Sequence, residues 1–410
     1  MKILYCNVSM VGRSGTEVVT LETVEQLLHA GHQVAVFVTE LGRSANTARS
    51  SGMTIINSLD QLNWTPDVIH SNHAFESLTA ASRFPHVPQV FICHDSQTWH
   101  SGPPLTSAVR RWLAVDQVCQ LRIESEAARF SPTVELLPNA VDLIRFKKRD
   151  AIPERPRKAL ILSKHANHRQ IINEACAARK IEVEFIGPGM AGCEVDDLPS
   201  HLPKYDLVFA TGRMALESAV CGCGVIVVDG RGMAGRLTSD NLIAWRKHNF
   251  GRALLTIPIN LESLLNAIDS YNREDALNIA NTLRGIADLD SYVSQLEAHY
   301  RQAIAIAQND PISAAEVLAD LPFAFLSVFN ATVGLPSSAT SFAIAEHSNQ
   351  HREIAQAFPK LQEQYCEVLT HREQTADALS RLQIQQQSFS YLIHRLASRL
   401  IYERPMGNAK

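Results

Sequence analysis

Short apolar runs alternate with helix-patterned segments twice along this chain, and the two series are separated by one proline-rich, highly charged stretch. That alternation is the feature that most restricts the fold, because it demands parallel sheets covered by helices. The first series is KILYCN (2–7), TEVVTLETVEQLLHAG (16–31, a helix closed by Gly31), HQVAVFV (32–38), MTIIN (53–57), DVIHSN (67–72) and QVFICHD (89–95). Such near-continuous apolar runs suit strands buried on both faces. Residues 138–158, PNAVDLIRFKKRDAIPERPRK, carry three prolines and a dense set of charges and read as a linker. The second series is KALILS (158–163), HRQIINEACAARK (168–180), IEVEFIG (181–187), YDLVFA (205–210) and VIVVD (225–229), then helical patterns from about 261 to 308. The expected class is α/β, with two doubly wound Rossmann-like domains facing across a cleft. Their spans are 1–137 and 159–310, joined by 138–158 and followed by a helical or irregular extension, 311–410.

The length of 410 residues agrees, being too great for one core. With 38 basic against 42 acidic residues the net charge of −4 gives no reason to expect nucleic acid as a partner. The eight cysteines are scattered through apolar runs without a CxxC pair, which fits buried free thiols. MKILYCNVSM passes straight into a strand pattern, unlike a signal peptide, and no apolar run approaches the ~20 residues of a spanning helix. A cytoplasmic protein is expected. In the extension a 4–3 apolar spacing runs from Ile354 to Leu400, broken at Arg372, Thr375 and Gln386. It predicts a coiled-coil-like segment for self-association or docking. With Arg395 and Arg399 beside Leu392 and Leu396, peripheral membrane contact through 354–404 is the alternative.

Several strand ends carry candidate chemistry. In MVGRSGTEVV, Gly12 and Gly15 allow backbone to approach a ligand at a helix N-terminus, or simply make a tight turn. His94 and Asp95 end a buried strand, with His100 in the loop beyond; His94 suits acid, base or hydrogen-bonding work, or is a satisfied core histidine. His70 and His73 are metal-ligand types with no carboxylate completing a set. Lys164, in LSKHANHR, offers charge to a phosphate or to solvent. VDGRGMAGRLTSDN places Gly232 between Arg231 and Arg236, a combination suited to a diphosphate. Glu217 stands in an otherwise apolar helix entered through Gly212, Arg213 and Met214. A carboxylate there accepts hydrogen bonds from a ribose diol, or pairs with Arg213 one turn earlier.

These stretches together resemble the GT-B glycosyltransferases, family 4 in particular. SGTEVVTLETVEQLLHAGHQV (14–34), DVIHSN, LLPNAVDLIRF (136–146) and ATGRMALESAVCGCGVIVVD occur in that family's order over roughly residues 1–305. The resemblance implies a hexosyltransferase-type enzyme, retaining and without metal or cofactor. It would take a nucleotide diphosphate sugar as donor and pass the sugar to a glycan, lipid or small-molecule acceptor. Glu217 matches the second glutamate of the family's Glu–seven residues–Glu motif, which binds the ribose. The resemblance and the strand ends make Glu217 and His94 the expected catalytic pair. Donor binding falls to Lys164, Gly212, Arg213, Met214, Glu217, Arg231, Gly232 and Arg236, and the acceptor side to Gly12, Gly15, His94, Asp95 and His100. The motif's first glutamate is replaced by Phe209. That departure opens two other readings: a degenerate scaffold that binds without turnover, and a nucleotide-sugar epimerase.

Overall fold

In the computed structural model the first series forms a seven-stranded, wholly parallel sheet. Its strands are β1 (Lys2–Met10), β2 (Gln33–Leu41), β3 (Thr54–Ile56), β4 (Val68–Ser71), β5 (Gln89–Cys93), β6 (Val109–Ala114) and β7 (Val134–Leu136), ordered β3-β2-β1-β4-β5-β6-β7. The second series forms a five-stranded sheet of β8 (Lys158–Leu162), β9 (Glu182–Ile186), β10 (Leu207–Ala210), β11 (Gly224–Asp229) and β12 (Gly232–Arg236), ordered β12-β11-β10-β8-β9, with only β12 antiparallel. The structure describes residues 1–332 except 13, 150, 165, 188–192, 194 and 196. The 354–404 segment therefore lies outside the described residues.

Strand burial follows the apolar runs. In β1, Ile3 and Tyr5 enter one core cluster and Leu4 and Cys6 another on the opposite face, all four fully buried. The strand order reverses between β1 and β4 in the first sheet and between β8 and β10 in the second. At such switch points the crevice beyond the carboxyl ends of the strands receives ligands. Strand β6 was not legible as an apolar run, because Arg110 and Arg111 interrupt VRRWLA; their guanidinium groups pair with Asp310 and Glu135.

Two expectations about organisation are corrected. Residues 138–158 are no slack linker. Val141 and Phe146 are buried in the second sheet's core, and Arg284 donates to the carbonyls of Phe146 (2.8 Å) and Leu143 (3.0 Å). Asp206 accepts from Arg149 Nη2 (2.9 Å) and from the amides of Arg157 and Lys158 (2.8 and 3.1 Å). The stretch is thereby fixed to the second half, and the halves are joined where the chain passes at 137–141 and at 287–289.

The second half also ends before 310. After the Val141–Asp288 bridge, helix Leu289–Asn309 returns to the first sheet, where Leu289, Tyr292, Val293, Leu296, Tyr300 and Ala303 complete its core. Helix Ala314–Thr332, in the stretch expected to be helical or irregular, follows it. Val317, Leu321 and Ala324 share a helical stripe interrupted in sequence by Pro322, and they pack on Leu78 and Ala81 of helix Ala74–Arg83. Among the described residues no helix is long and apolar enough to cross a membrane. Of the seven described cysteines, all free, only Cys193 is not buried.

Candidate functional site

Both switch points open on one cavity of about 410 Å³. The first sheet contributes Gly15, Glu22, His94 and Asp95 to its wall, and the second Lys164, Gly212, Arg213, Met214, Glu217, Asp229 and Arg231. The two sides approach closely: a Cβ on Gly15 would stand 4.0 Å from Lys164 Nζ. Among the described lining residues six are Arg or Lys and five are Asp or Glu, so the charges on the wall nearly balance.

Glu217 is held by Arg213. Arg213 Nε donates to Glu217 Oε1 at 2.6 Å, and its Nη2 reaches Glu22 on helix Gly15–His29 of the first half. The side chains of Arg213, Glu217 and Glu22 are 11%, 7% and 6% exposed, so this is an almost buried carboxylate–guanidinium–carboxylate bridge between the two halves. Arg145 stands 3.7 Å from the Glu22 carboxylate. Burial pushes the Glu217 carboxyl upward against the opposing pull of Arg213. For Arg213, burial works to lower its proton affinity and the two carboxylates outweigh it, so the guanidinium is held charged. The pairing one turn apart was legible in sequence; Glu22, 191 residues from Arg213, was not.

Helix Gly212–Val220 follows β10 with only Thr211 between them. Gly212 has φ +60°, open to glycine at no steric cost, and its amide donates to the Phe250 carbonyl at 2.8 Å. Asn249 and Phe250 themselves have φ of 49° and 52°, a strained turn that carries Asn249, Gly251 and Arg252 onto the cavity wall. With so short a connection no loop exists to carry a first glutamate. Phe209 lies inside β10, fully buried against Ile161, Ile226 and Val228.

The glycine loop after β1 is not available as an anion cradle. The amides of Val11 (2.7 Å), Gly12 (3.1 Å) and Ser14 (2.6 Å), together with the Ser9 hydroxyl (3.0 Å), donate to the Glu17 carboxylate within a capping box. Burial tends to raise the Glu17 pKa, and these donors more than offset it, so the carboxylate is held below its ordinary value. Gly12 thus makes the tight turn, while Gly15 lines the cavity.

The Gly232–Arg236 stretch is likewise no open loop. Asp229 pairs with Gly232 and the chain runs back as β12. Gly232 and Arg236 lie off the cavity wall, and Arg236 is clamped by Asp275 (2.5 Å). Arg231 remains on the wall, its side chain half exposed and paired with Asp229.

On the first-sheet side, His94 Nε2 meets Asn72 Oδ1 at 3.1 Å. Burial and the nearby Arg213 charge lower its pKa to about 4, so it is neutral near pH 7. Asp95 Oδ1 accepts from the amide of Gln97 (2.6 Å) and shapes the following turn. His100 stands outside the wall, its ring 5.0 Å from that of His73. His70 is engaged at both nitrogens, by Tyr300 and Asn72, and His73 Nδ1 accepts the Val8 amide (3.1 Å). Sequence reasoning missed Asn72 and Glu22. Only Asn72 carried a signal: two residues after His70, it falls on the same side of the strand end.

No family model and no curated protein matches the chain. Among solved structures it is similar to MurG of Acinetobacter baumannii, at 12% identity over 72% of this chain and 99% of that one, TM-score 0.44. It is also similar to the pneumococcal O-GlcNAc transferase GtfA in complex with UDP and GlcNAc, at 8% identity over 74% and 99%, TM-score 0.49. A third is the glycosyltransferase SnogD from Streptomyces nogalater, at 13% identity over 73% and 99%, TM-score 0.41.

Proposed function

We propose that the cavity binds a nucleotide diphosphate sugar and that the protein is a GT-B glycosyltransferase. The observation that carries the reading is the convergence of both sheets' switch points on one cavity lined by charges of both signs and containing a nearly buried, arginine-held carboxylate, Glu217. In this reading Glu217 accepts the ribose hydroxyls. Lys164, Arg231 and Arg252 face the diphosphate and stabilise the charge that develops on it as the sugar leaves. The first half, 1–137, holds the acceptor beside Gly15, His94 and Asp95. Retention without a metal is part of the proposal; product anomers read by NMR, and turnover in the presence of EDTA, test those two points.

Titration calorimetry with UDP, GDP, ADP and dTDP tests the reading directly. One of them is expected to bind, and Glu217→Gln to weaken that binding by about tenfold or more while the chain stays folded, because glutamine keeps an acceptor for Arg213. An unchanged affinity in the variant removes Glu217 from the site. Binding of the sugar nucleotide without hydrolysis or transfer would identify a scaffold.

One observation favours a second reading: Asp95 and Asp116 also line the cavity, as carboxylates flanking a sugar would in an epimerase. Appearance of an isomeric sugar nucleotide without release of nucleotide would establish it.

A further inference from the structure

A chain of buried hydrogen bonds behind the cavity wall determines which nitrogen of His94 carries its proton. The chain starts at a group with no ambiguity, the main-chain carbonyl of Ser9, which can only accept. Asn7 therefore turns its side-chain nitrogen to Ser9 O, at 2.8 Å, and its Oδ1 is left facing Asn72. That oxygen needs a donor, and Asn72 Nδ2 stands 3.4 Å away. The same nitrogen lies 3.4 Å from Tyr5 Oη and 3.5 Å from Thr20 Oγ1, both able to accept.

With the Asn72 nitrogen so placed, its Oδ1 faces the two imidazoles, 2.9 Å from His70 Nε2 and 3.1 Å from His94 Nε2. An amide oxygen has two lone pairs and no proton, so both rings present N–H to it. His70 Nδ1 is then unprotonated, and the Tyr300 hydroxyl donates to it at 2.7 Å. His70 also stacks on Tyr5, with ring centroids 3.8 Å apart. Asn7, His70 and Asn72 are fully buried, so each has its partners set by the protein.

We propose that Asn72 is a positioning residue that holds His94 as the Nε2–H tautomer, leaving Nδ1 as the nitrogen that His94 offers to the cavity. His94 then accepts a proton or hydrogen bond from a ligand hydroxyl and does not donate one. The charged and titratable groups around it are Arg213 from the second half and His70 and His73 from its own. The role of the tautomer in turnover rests on the cavity being the donor and acceptor site; the tautomer itself does not.

The test begins with the full chain carrying ¹⁵N-labelled histidine imidazoles. Near pH 7, the expected spectrum has His94 protonated at Nε2 and bare at Nδ1. A His94 protonated at Nδ1 overturns the proposal, whether or not any activity has been found. Turnover is then followed as nucleotide release from UDP-, GDP-, ADP- and dTDP-hexoses. Asn72→Leu is expected to mix the tautomers and lower kcat by about tenfold or more, with the donor KM within about twofold. Asn72→Asp keeps an acceptor at the same place. It should retain the tautomer, restore most of kcat and move the acid limb of the pH profile upward, since a carboxylate favours imidazolium. Asn72→Leu with the parent tautomer and kcat overturns the proposal. Should that variant not fold, the parent spectrum and the aspartate variant still decide. If the parent turns over none of these donors, the glycosyltransferase reading fails while the spectrum still judges Asn72.

Discussion

Arg213→Met should cost the fold about 3–5 kcal/mol, the range for removing one partner from a buried ionic group. Methionine fills much of the arginine's volume and supplies neither charge nor donors. Glu22 and Glu217 would be left as neighbouring, nearly buried carboxylates from opposite halves, each having lost its guanidinium bond. Like charges so placed hold a shared proton, which raises their proton affinity in the folded state above the unfolded value. A raised carboxyl favours the fold at low pH, so the deficit relative to the parent should shrink as pH falls toward the ordinary carboxylate range. Combining Arg213→Met with Glu22→Gln and Glu217→Gln should recover most of the loss. Urea unfolding of the three proteins at two pH values measures all of this. A parent-like midpoint for Arg213→Met alone would show that the bridge does not hold the halves together.

The second expected result is a loss of stability on acidification that begins well above the carboxylate range. Burial lowers the His70 pKa from its ordinary 6.5 to about 3, so the folded state keeps this ring neutral. Between these values the unfolded chain binds a proton that the folded chain does not. Stability from this group is complete above pH 6.5 and declines as pH falls toward the folded value. The slope is up to about 1.36 kcal/mol per pH unit, or roughly 3 kcal/mol by pH 4. His94 acts with the same sign. Glu76 and Glu217 act against it, since burial raises their pKa and their folded forms gain protons first. Comparing His70→Gln with the parent cancels these opposing groups: the variant should be less stable near neutral pH and lose about one proton's worth of slope. Equal slopes would mean that His70 titrates normally in the folded protein.

Why some of this was legible in sequence and some was not comes down to distance along the chain. Strands such as KILYCN and VIVVD are apolar on both faces because both faces are buried, and that requirement shows in the residues themselves. The Arg213–Glu217 pair is one helical turn apart, so local spacing revealed it. Glu22 and Tyr300 acquire their roles from partners brought up by topology, and nothing adjacent to them announces it. Two errors had a different origin. Glycine and arginine in VDGRGMAGR suit a phosphate loop and an edge hairpin alike; the Asp229–Gly232 pairing chose the hairpin. In MVGRSGTE, Glu17 is already the anion that the loop amides hold.

The returning helix has a consequence for synthesis. A ribosome makes β1 to β7 first, yet that sheet's hydrophobic core lacks Leu289, Tyr292, Leu296 and Tyr300 until more than 150 further residues have followed the end of β7 at Leu136. The second sheet, from β8 to helix Arg273–Ile286, is contiguous in the chain and has its own core. Domains ordinarily fold in the order of their synthesis. Here the later half has its core contiguous in the chain, while the earlier half keeps an apolar face uncovered until helix Leu289–Asn309 has been made.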